Sequence, residues 1–183
     1  MYGLVNRAIE QLVVSTKGEP AWQLVCARAG VAPGGFVAMC PYDDSLTYAL
    51  VHAVSEELGM PPEQVLEAFG EYWILYTADE GYAELMQSAG NDMRSFLGNL
   101  DDMHGRVESI FPQMKLPRFR VEILEGDVLR VLYGSDREGL APMVTGLLRG
   151  VALRFRQRVV VRHIVTRGPD ASEDVFLVEP LTA

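Results

Sequence analysis

Residues 104–137 have the sequence HGRVESIFPQMKLPRFRVEILEGDVLRVLYGSDR, and this stretch decides the fold. The apolar residues on either side of His104 recur every three or four positions, so they share one face of a helix. After Pro117 apolar and charged residues alternate, which is typical of a half-exposed strand. Glu125-Gly126-Asp127 is a hairpin turn signal that leads into a second strand over 127–133. The stretch therefore predicts a helix followed by an antiparallel hairpin.

The rest of the chain extends this pattern into an α+β fold. Apolar spacing predicts helices in the first half and a long helix after the hairpin. Alternating apolar residues predict two more strands near the C-terminus. The predicted helices cover 2–15, 21–29, 46–58, a segment opened by Pro61 and Pro62, a long helix that carries His104, and 138–155; the further strands cover 159–165 and 174–180, and polar turns fall at Asp79 to Gly81 and at Gly90-Asn91. We expect a helical first half and a C-terminal half with a four-stranded antiparallel sheet.

Length and composition indicate one globular domain over 1–183. The chain has 183 residues and is 49% hydrophobic, which is enough for a real core. No apolar run reaches the roughly 18 residues of a membrane helix. Asn6, Arg7 and Glu10 interrupt the apolar runs near the start, so we find no signal peptide. We expect a cytoplasmic protein with no membrane partner.

Charge and cysteine content exclude other classes. The net charge is −9, from 16 Lys and Arg against 25 Asp and Glu, so we expect no nucleic-acid partner. The one basic island, 153–163, is interpreted as a half-buried helix end and strand face, with a partner contact as the alternative. Cys26 and Cys40 lack the spacing of a zinc site and are expected to be small buried hydrophobic residues.

His104 is the first candidate binding residue. Its position on an apolar helix face points it inward, and most such histidines are core residues with a hydrogen-bond partner. A neutral imidazole in that position is also a potential metal ligand. We interpret the other two histidines, His52 within a helix and His163 beside Arg162 in a strand, as structural.

Tyr133, Ser135 and Arg137 form the second candidate site. Their spacing allows a phenol, a hydroxyl and a guanidinium to converge at the end of a strand and the N-terminus of the helix 138–155. Such donors suit carboxylates or phosphates, because Arg pairs with either through two hydrogen bonds and the helix dipole adds to the attraction. The alternative is a strand-to-helix turn with a capping serine.

Three segments together resemble the haem nitric oxide/oxygen binding domain, H-NOX, of bacterial gas sensors and soluble guanylate cyclase. They are MYGLVNRAIEQLV at the start, DDMHGRVESIFPQMKLPRFR around His104 and YGSDREGLAPMVTGLLRG further on. The resemblance covers nearly the whole chain. It implies a helical distal part, 1–60, and a proximal part with the sheet, 61–183, with haem b held between them.

The same resemblance assigns roles to the candidate residues. It implies that His104 is the axial ligand of the haem iron and that Pro112 packs against the porphyrin and helps to distort it. It further implies that the haem propionates bind to Tyr133, Ser135 and Arg137. Haem iron requires a neutral imidazole whose other nitrogen is held by an acceptor, which an inward-pointing His104 can supply.

The resemblance also implies a distal pocket and a gas preference. In O₂-binding members a distal tyrosine follows the Tyr-x-Ser-x-Arg motif, and the matching residue here is Met143, which cannot donate; nor can its neighbours Pro142 and Val144. Iron-bound O₂ gains from a donor, whereas NO binds without one, so we expect NO and CO binding and exclusion of O₂. The expected apolar wall residues are Val5, Trp73 and Leu147, and the donors Tyr2 and Trp73 either approach the iron or belong to the core.

The expected activity is signalling rather than catalysis. NO would weaken the bond between iron and His104, and release of the strain held by Pro112 would shift the helical half against the sheet. No cyclase domain occurs in these 183 residues, so we expect output through a separate protein, which for stand-alone bacterial relatives is usually a histidine kinase or a cyclic-di-GMP enzyme.

Two alternatives come from other classes of protein. A module for another carboxylate-bearing ligand, such as a fatty acid or bilin, would use Tyr133, Ser135 and Arg137 but would not need His104. A haem enzyme would need a distal acid–base pair, and the region of Met143 offers none.

Overall fold

The computed structural model describes residues 1–77 and 81–181. The helices among them are α1 (Gly3–Lys17), α2 (Glu19–Ala29), α3 (Asp44–Leu58), α4 (Pro62–Thr77), α5 (Ala83–Ala89), α6 (Met93–Gly98), α7 (Leu100–Ile110) and α8 (Ala141–Arg154). The strands are β1 (Arg118–Ile123), β2 (Leu129–Gly134), β3 (Val159–Val165) and β4 (Asp174–Pro180). They form one antiparallel sheet in the order β1-β2-β4-β3, with α8 between β2 and β3 in sequence. The predicted α+β fold class is confirmed.

The hairpin of β1 and β2 closes at the predicted turn. A short 3₁₀ segment, Glu125–Asp127, connects the strands, and Gly126 and Asp127 adopt the positive φ angles of 74° and 58° that this tight reversal requires. One face of the sheet is buried, with Val131 of β2 opposite Phe176 of β4. That face carries one of the two hydrophobic clusters found among the described residues.

The long helix predicted around His104 is divided in two. Asp92 and Ser95 form a capping box that starts α6, and Asn99 ends α6 and precedes α7. The Asn99 side chain donates to the carbonyl of Ala89 at 2.8 Å, which fixes the break. Helix α5 was not predicted, and the predicted turn at Asp79 to Gly81 lies largely outside the described residues.

Helices α4 and α8 connect the two hydrophobic clusters. Helices α1 to α3 build one cluster with Val65, Leu66, Phe69 and Tyr76 of α4, and the sheet builds the other with α8 and with Ile74 of α4. Glycines allow the two helices to touch backbone to backbone, since a Cβ on Gly70 or Gly146 would overlap a carbonyl of the other helix. The division expected at residue 60 falls just before α4, which packs into both clusters.

Two further expectations concern exposure. Cys26 is buried, but Cys40 is exposed, so the expectation of a buried hydrophobic role is wrong for Cys40 because it lies in the irregular connection between α2 and α3. The basic segment 153–163 spans the end of α8, a turn and most of β3, and is mostly exposed. Within 1–77 and 81–181, no helix is long and apolar enough to cross a bilayer.

Candidate functional site

A cavity of about 440 Å³ lies between the helical part and the sheet part. Helices α1, α4, α7 and α8 and the ends of β1 and β2 contribute to its wall. Most of the lining is apolar, and a few polar groups stand at defined places, as in sites that bind one large organic ligand. These polar groups include His104, Lys115, Tyr133, Ser135 and Arg137.

The apolar face of α7 forms one wall of this cavity. Leu100, Met103 and Val107 line it together with His104, and all four residues are half-buried. The sequence pattern predicts that this face packs into a core. The face packs only partly against the sheet cluster, through Leu100 and Met103, and otherwise borders the cavity, so an apolar occupant would complete its removal from water.

His104 is held in one tautomer. Its Nδ1 lies 2.9 Å from the carbonyl oxygen of Pro117. Because a carbonyl only accepts, Nδ1 carries the hydrogen and Nε2 keeps a lone pair. Burial lowers the pKa of His104 below its usual value, and this outweighs the opposite effects of the Pro117 hydrogen bond and of Asp101. His104 is therefore a neutral imidazole at pH 7, with one nitrogen available to a metal.

The donors of the second candidate site meet at the end of β2. Tyr133 is only 3% exposed, and burial raises the pKa of its phenol despite a hydrogen bond with Ser135, so Tyr133 stays a donor at neutral pH. The Arg137 guanidinium donates to the carbonyl of Lys115 at 2.9 Å. The cavity thus has at one end the Tyr133 phenol, the Ser135 hydroxyl and the cationic side chains of Lys115 and Arg137. This combination of donors suits a carboxylate.

The expected helix N-terminus is not part of this cluster. Helix α8 begins at Ala141 rather than 138, so Ser135 does not cap it. The Ser135 hydroxyl instead accepts from the backbone N–H of Arg137 at 3.1 Å, which makes a local turn. Gly139 has a φ of 74°, which a right-handed helix cannot contain. The helix prediction was therefore wrong over its first three residues.

The two prolines after His104 have different places. Pro112 lines a neighbouring polar pocket, whereas Pro117 lines the main cavity. The chain turns after Phe111, whose carbonyl accepts from Met114 at 2.9 Å, and the segment from Met114 to Pro117 lines the main cavity. Pro117, rather than the expected Pro112, is thus among the residues that line the main cavity. Both prolines were in the quoted segment, and apolar spacing does not distinguish them.

Every expected distal residue lines the cavity. Those residues are Tyr2, Val5, Trp73, Met143 and Leu147. Two hydroxyls on the wall were missed by the sequence analysis, and each has a partner. Thr77 donates to the carbonyl of Trp73 at 2.8 Å, and the Tyr82 hydroxyl lies 3.7 Å from the sulfur of Met39.

Asp44 at the start of α3 was also missed. It accepts from Nε of Arg137 at 2.8 Å and from the Met1 ammonium. Burial would raise the pKa of Asp44, but these hydrogen bonds and charges outweigh burial and leave the pKa below its usual value. The contact joins residues 93 apart, which no local spacing reveals.

The remaining histidines lie elsewhere. His52 is exposed on α3, 3.6 Å from Glu56. His163 bonds to Asp174 at 2.9 Å and stacks on Phe176 with ring centroids 4.6 Å apart. Of the three histidines in the sequence, only His104 is among the residues that line the cavity.

Fold and site define a class: a binding domain whose cavity offers a neutral imidazole to a metal and cationic donors to carboxylates, with apolar walls between. The chain belongs to the haem-NO-binding family, whose sequence model (HNOB) matches residues 2–163. The resemblance found in the sequence is thereby confirmed, and haem is the cofactor of this family.

Relatives and solved structures agree with this assignment. The soluble guanylate cyclases gcy-35 and gcy-32 of Caenorhabditis elegans are 30% and 34% identical over 182 and 157 residues, which cover 98% and 84% of this chain. These matches cover only 26% and 23% of the cyclases, so the chain spans about a quarter of their length. The H-NOX protein of S. oneidensis has the same fold, with a TM-score of 0.90 for a mutant in the Fe(II) state and 0.88 for the Fe(II)NO state. These structures are 22% and 23% identical in sequence, cover all of this chain, and are themselves covered to 97% and 100%.

Proposed function

We propose that this chain binds haem b in the cavity, senses NO and CO at ferrous iron, excludes O₂ and passes the signal to a separate protein. The observation that carries the proposal is the wall formed by α7. Its apolar face is exposed to the cavity, and His104 on that face keeps the lone pair of Nε2 because Nδ1 donates to Pro117. A flat apolar group with a metal at its centre and carboxylates at its edge satisfies both features.

The other residues suit the remaining parts of haem. Tyr133, Ser135 and Arg137 would hold the propionates, with Lys115 as an additional cation on the same rim. Pro117 would pack against the porphyrin. When bound, ferrous haem would supply a coordination position for a diatomic gas, and His104 would be the protein ligand whose bond to the iron responds to that gas.

Gas preference would follow from the donors on the distal wall. Met143 lines the cavity and cannot donate. Thr77 already donates to Trp73, and the Tyr82 hydroxyl is directed to the sulfur of Met39. Because both hydroxyls already have partners, we expect the wall to give bound O₂ little stabilisation. Tyr2 and Trp73 also line the cavity and carry donors. The variants Tyr2→Phe and Trp73→Phe test whether either donor reaches bound O₂.

Movement of His104 would pass directly to the sheet. The imidazole is tied to the carbonyl that precedes β1, and Asp101 of α7 accepts from the backbone N–H of Phe119 in β1 at 2.8 Å. A displaced His104 therefore pulls on the hairpin rather than moving alone. This link is a physical route for the proposed shift between the two parts.

The experiment is the visible absorption spectrum of the purified protein, reduced without air and then exposed in turn to O₂, CO and NO. We expect a Soret band that CO and NO shift and O₂ does not. His104→Ala should lose the normal ferrous spectrum, whereas His52→Ala, which removes an exposed imidazole on α3, should keep it.

Each contrary result points to one alternative. Absence of haem after addition of free haem would contradict the proposal and favour a module for a fatty acid or bilin. An unchanged ferrous spectrum in His104→Ala would contradict the axial role. A stable ferrous–oxy spectrum would contradict O₂ exclusion, and Tyr2→Phe and Trp73→Phe would then identify the donor.

We further propose that the signal passes to a histidine kinase or a cyclic-di-GMP enzyme, and that the chain itself is not catalytic. The test adds the haem-loaded chain, with and without NO, to such enzymes from the same source. Autophosphorylation or cyclic-di-GMP turnover should change with NO. The same rates with and without NO for every enzyme tested would contradict this partner class.

A further inference from the structure

Arg167, in the connection between β3 and β4, reaches across to the loop after β2. Its Nη2 donates to the carbonyl of Arg137 at 2.6 Å, and its Nη1 donates to the carbonyl of Ser135. One guanidinium therefore bridges the backbone of two of the three residues in the candidate propionate site. Its contacts are to main-chain oxygens, so they fix the loop rather than neutralise a side chain.

Arg167 is itself held by a buried acid. Its backbone N–H donates to Oδ1 of Asp174 at 3.1 Å, and the same oxygen is 2.9 Å from Nε2 of His163. Asp174 is 5% exposed and lies opposite Tyr133 in the pairing of β2 with β4. The sheet thus provides a rigid base from which the Arg167 side chain extends.

The loop from Ser135 to Arg137 needs such support. It is not part of β2 or of α8, and its internal hydrogen bond is the turn between the Ser135 hydroxyl and Arg137 N–H at 3.1 Å. The bonds of Arg137 to Asp44 and to the Lys115 carbonyl are made by its side chain and not by the loop backbone. The carbonyl bonds from Arg167 limit the backbone rotations that would swing the Ser135 hydroxyl and the Arg137 guanidinium away from the cavity. Arg167 also lies beyond residue 163, where the match to the family ends.

We infer that Arg167 is a positioning residue of the carboxylate-binding end of the cavity: it fixes the Ser135–Arg137 loop so that these side chains can hold haem propionates. This inference rests on the proposed function. Loss of Arg167 should leave the apolar walls and His104 unchanged while the propionates lose their hold. Haem should therefore bind, but leave faster.

The experiment measures transfer of haem from the protein to excess apomyoglobin, for natural haem and for haem dimethyl ester, in which both propionates are esterified. Arg167→Ala should release natural haem about tenfold faster or more, as expected for loss of hydrogen bonds from a charged group. The ester has no carboxylate for the loop to hold, so its release should not change. Arg167→Lys keeps the charge and can reach one carbonyl, so its rate of release of natural haem should lie between those of the wild type and Arg167→Ala. Arg162→Ala removes an exposed arginine paired with Glu179 on β3 and β4 and is the control, with release as in the wild type.

A second measurement uses the apoprotein. Amide hydrogen exchange at Arg137 should be faster in Arg167→Ala than in the wild type, because the turn that includes this N–H loses its support.

Equal acceleration of release for haem and its ester would mean a general structural role and would overturn the inference. So would release of natural haem at the wild-type rate in Arg167→Ala. If that variant does not fold, Arg167→Lys and Arg167→Gln are compared in the same way. A wild-type chain that takes up the ester but not natural haem would refute this inference alone, whereas one that binds neither would refute the proposed function as well.

Discussion

Nε of Arg137 lies 2.8 Å from Oδ2 of Asp44, and this ion pair joins the sheet part to the start of α3 in the helical part. Asp44 also accepts from the Met1 ammonium. Arg137 is at the same time a candidate propionate ligand. The same guanidinium would then be shared between a contact that connects the two parts and a contact to the proposed cofactor, so we expect occupation of the cavity and the relative position of the parts to be linked.

Asp44→Asn should destabilise the protein at neutral pH. Asp44 is 40% exposed, so solvent screening limits the expected loss to about 1 kcal/mol. The pKa of Asp44 is lower in the folded than in the unfolded chain, so the stabilisation is present above the unfolded pKa of about 4 and is lost as the pH falls through the folded value. Urea unfolding at pH 7 and pH 3 measures this. The difference from the wild type should be present at pH 7 and shrink at pH 3, and Asp170→Asn, an exposed control, should show none.

His104 should make the apoprotein less stable as the medium becomes mildly acidic. Burial lowers its pKa in the folded chain, so below the unfolded value of about 6.5 the unfolded chain binds the proton more readily. Stability contributed by this site is complete above that pH and falls as the pH drops below it. Urea unfolding between pH 7.5 and 5.5 should show a smaller decline in His104→Gln than in the wild type. Equal slopes would mean that His104 is not the group responsible.

Substitution of glycine by alanine should lower the stability of the protein on α4 and α8 but raise it on α7. Gly70→Ala and Gly146→Ala each place a Cβ against a carbonyl of the opposing helix, and overpacking of this kind costs about 1–3 kcal/mol or more. Gly105→Ala meets nothing within 4 Å and should stabilise α7 by about 0.5–1 kcal/mol. Thermal unfolding of the three apoproteins tests this. Unchanged stability in Gly70→Ala would mean that the helices separate without cost.

Local patterns predicted the sheet better than they predicted the site. The bounds of β3 and β4 agree with the predicted strands at 159–165 and 174–180, because alternation and flanking turns are properties of short segments. The break at Asn99 was missed because apolar spacing continues through it, and the interruption depends on a bond to Ala89. Helical spacing marked the face of α7 but could not show that this face lines a cavity.

The missed contacts that hold Arg137 and its loop are long-range. Asp44 and Arg137 are 93 residues apart, and Arg167 bonds to carbonyls 30 and 32 residues earlier. Only the folded chain shows which of two prolines, Pro112 or Pro117, returns to the cavity. By contrast, Tyr133, Ser135 and Arg137 were found together because their spacing is local.

Met143→Tyr should convert the proposed NO and CO sensor into a protein that also binds O₂. Met143 lines the distal wall, and a tyrosine there would bring a phenol O–H where the wild type has a thioether. A donor to bound O₂ stabilises the partial negative charge on its outer atom, and one hydrogen bond of this kind is worth about tenfold or more in affinity. The affinity for NO should increase little, because NO binding to ferrous haem does not depend on a donor.

Met143→Leu keeps size and apolar character and is the matched control. The measurement is the ferrous spectrum under air, with autoxidation followed over time: a stable oxy spectrum in Met143→Tyr alone would support the role of this position, whereas an oxy spectrum in the wild type or in Met143→Leu would mean that another wall residue already supplies the donor.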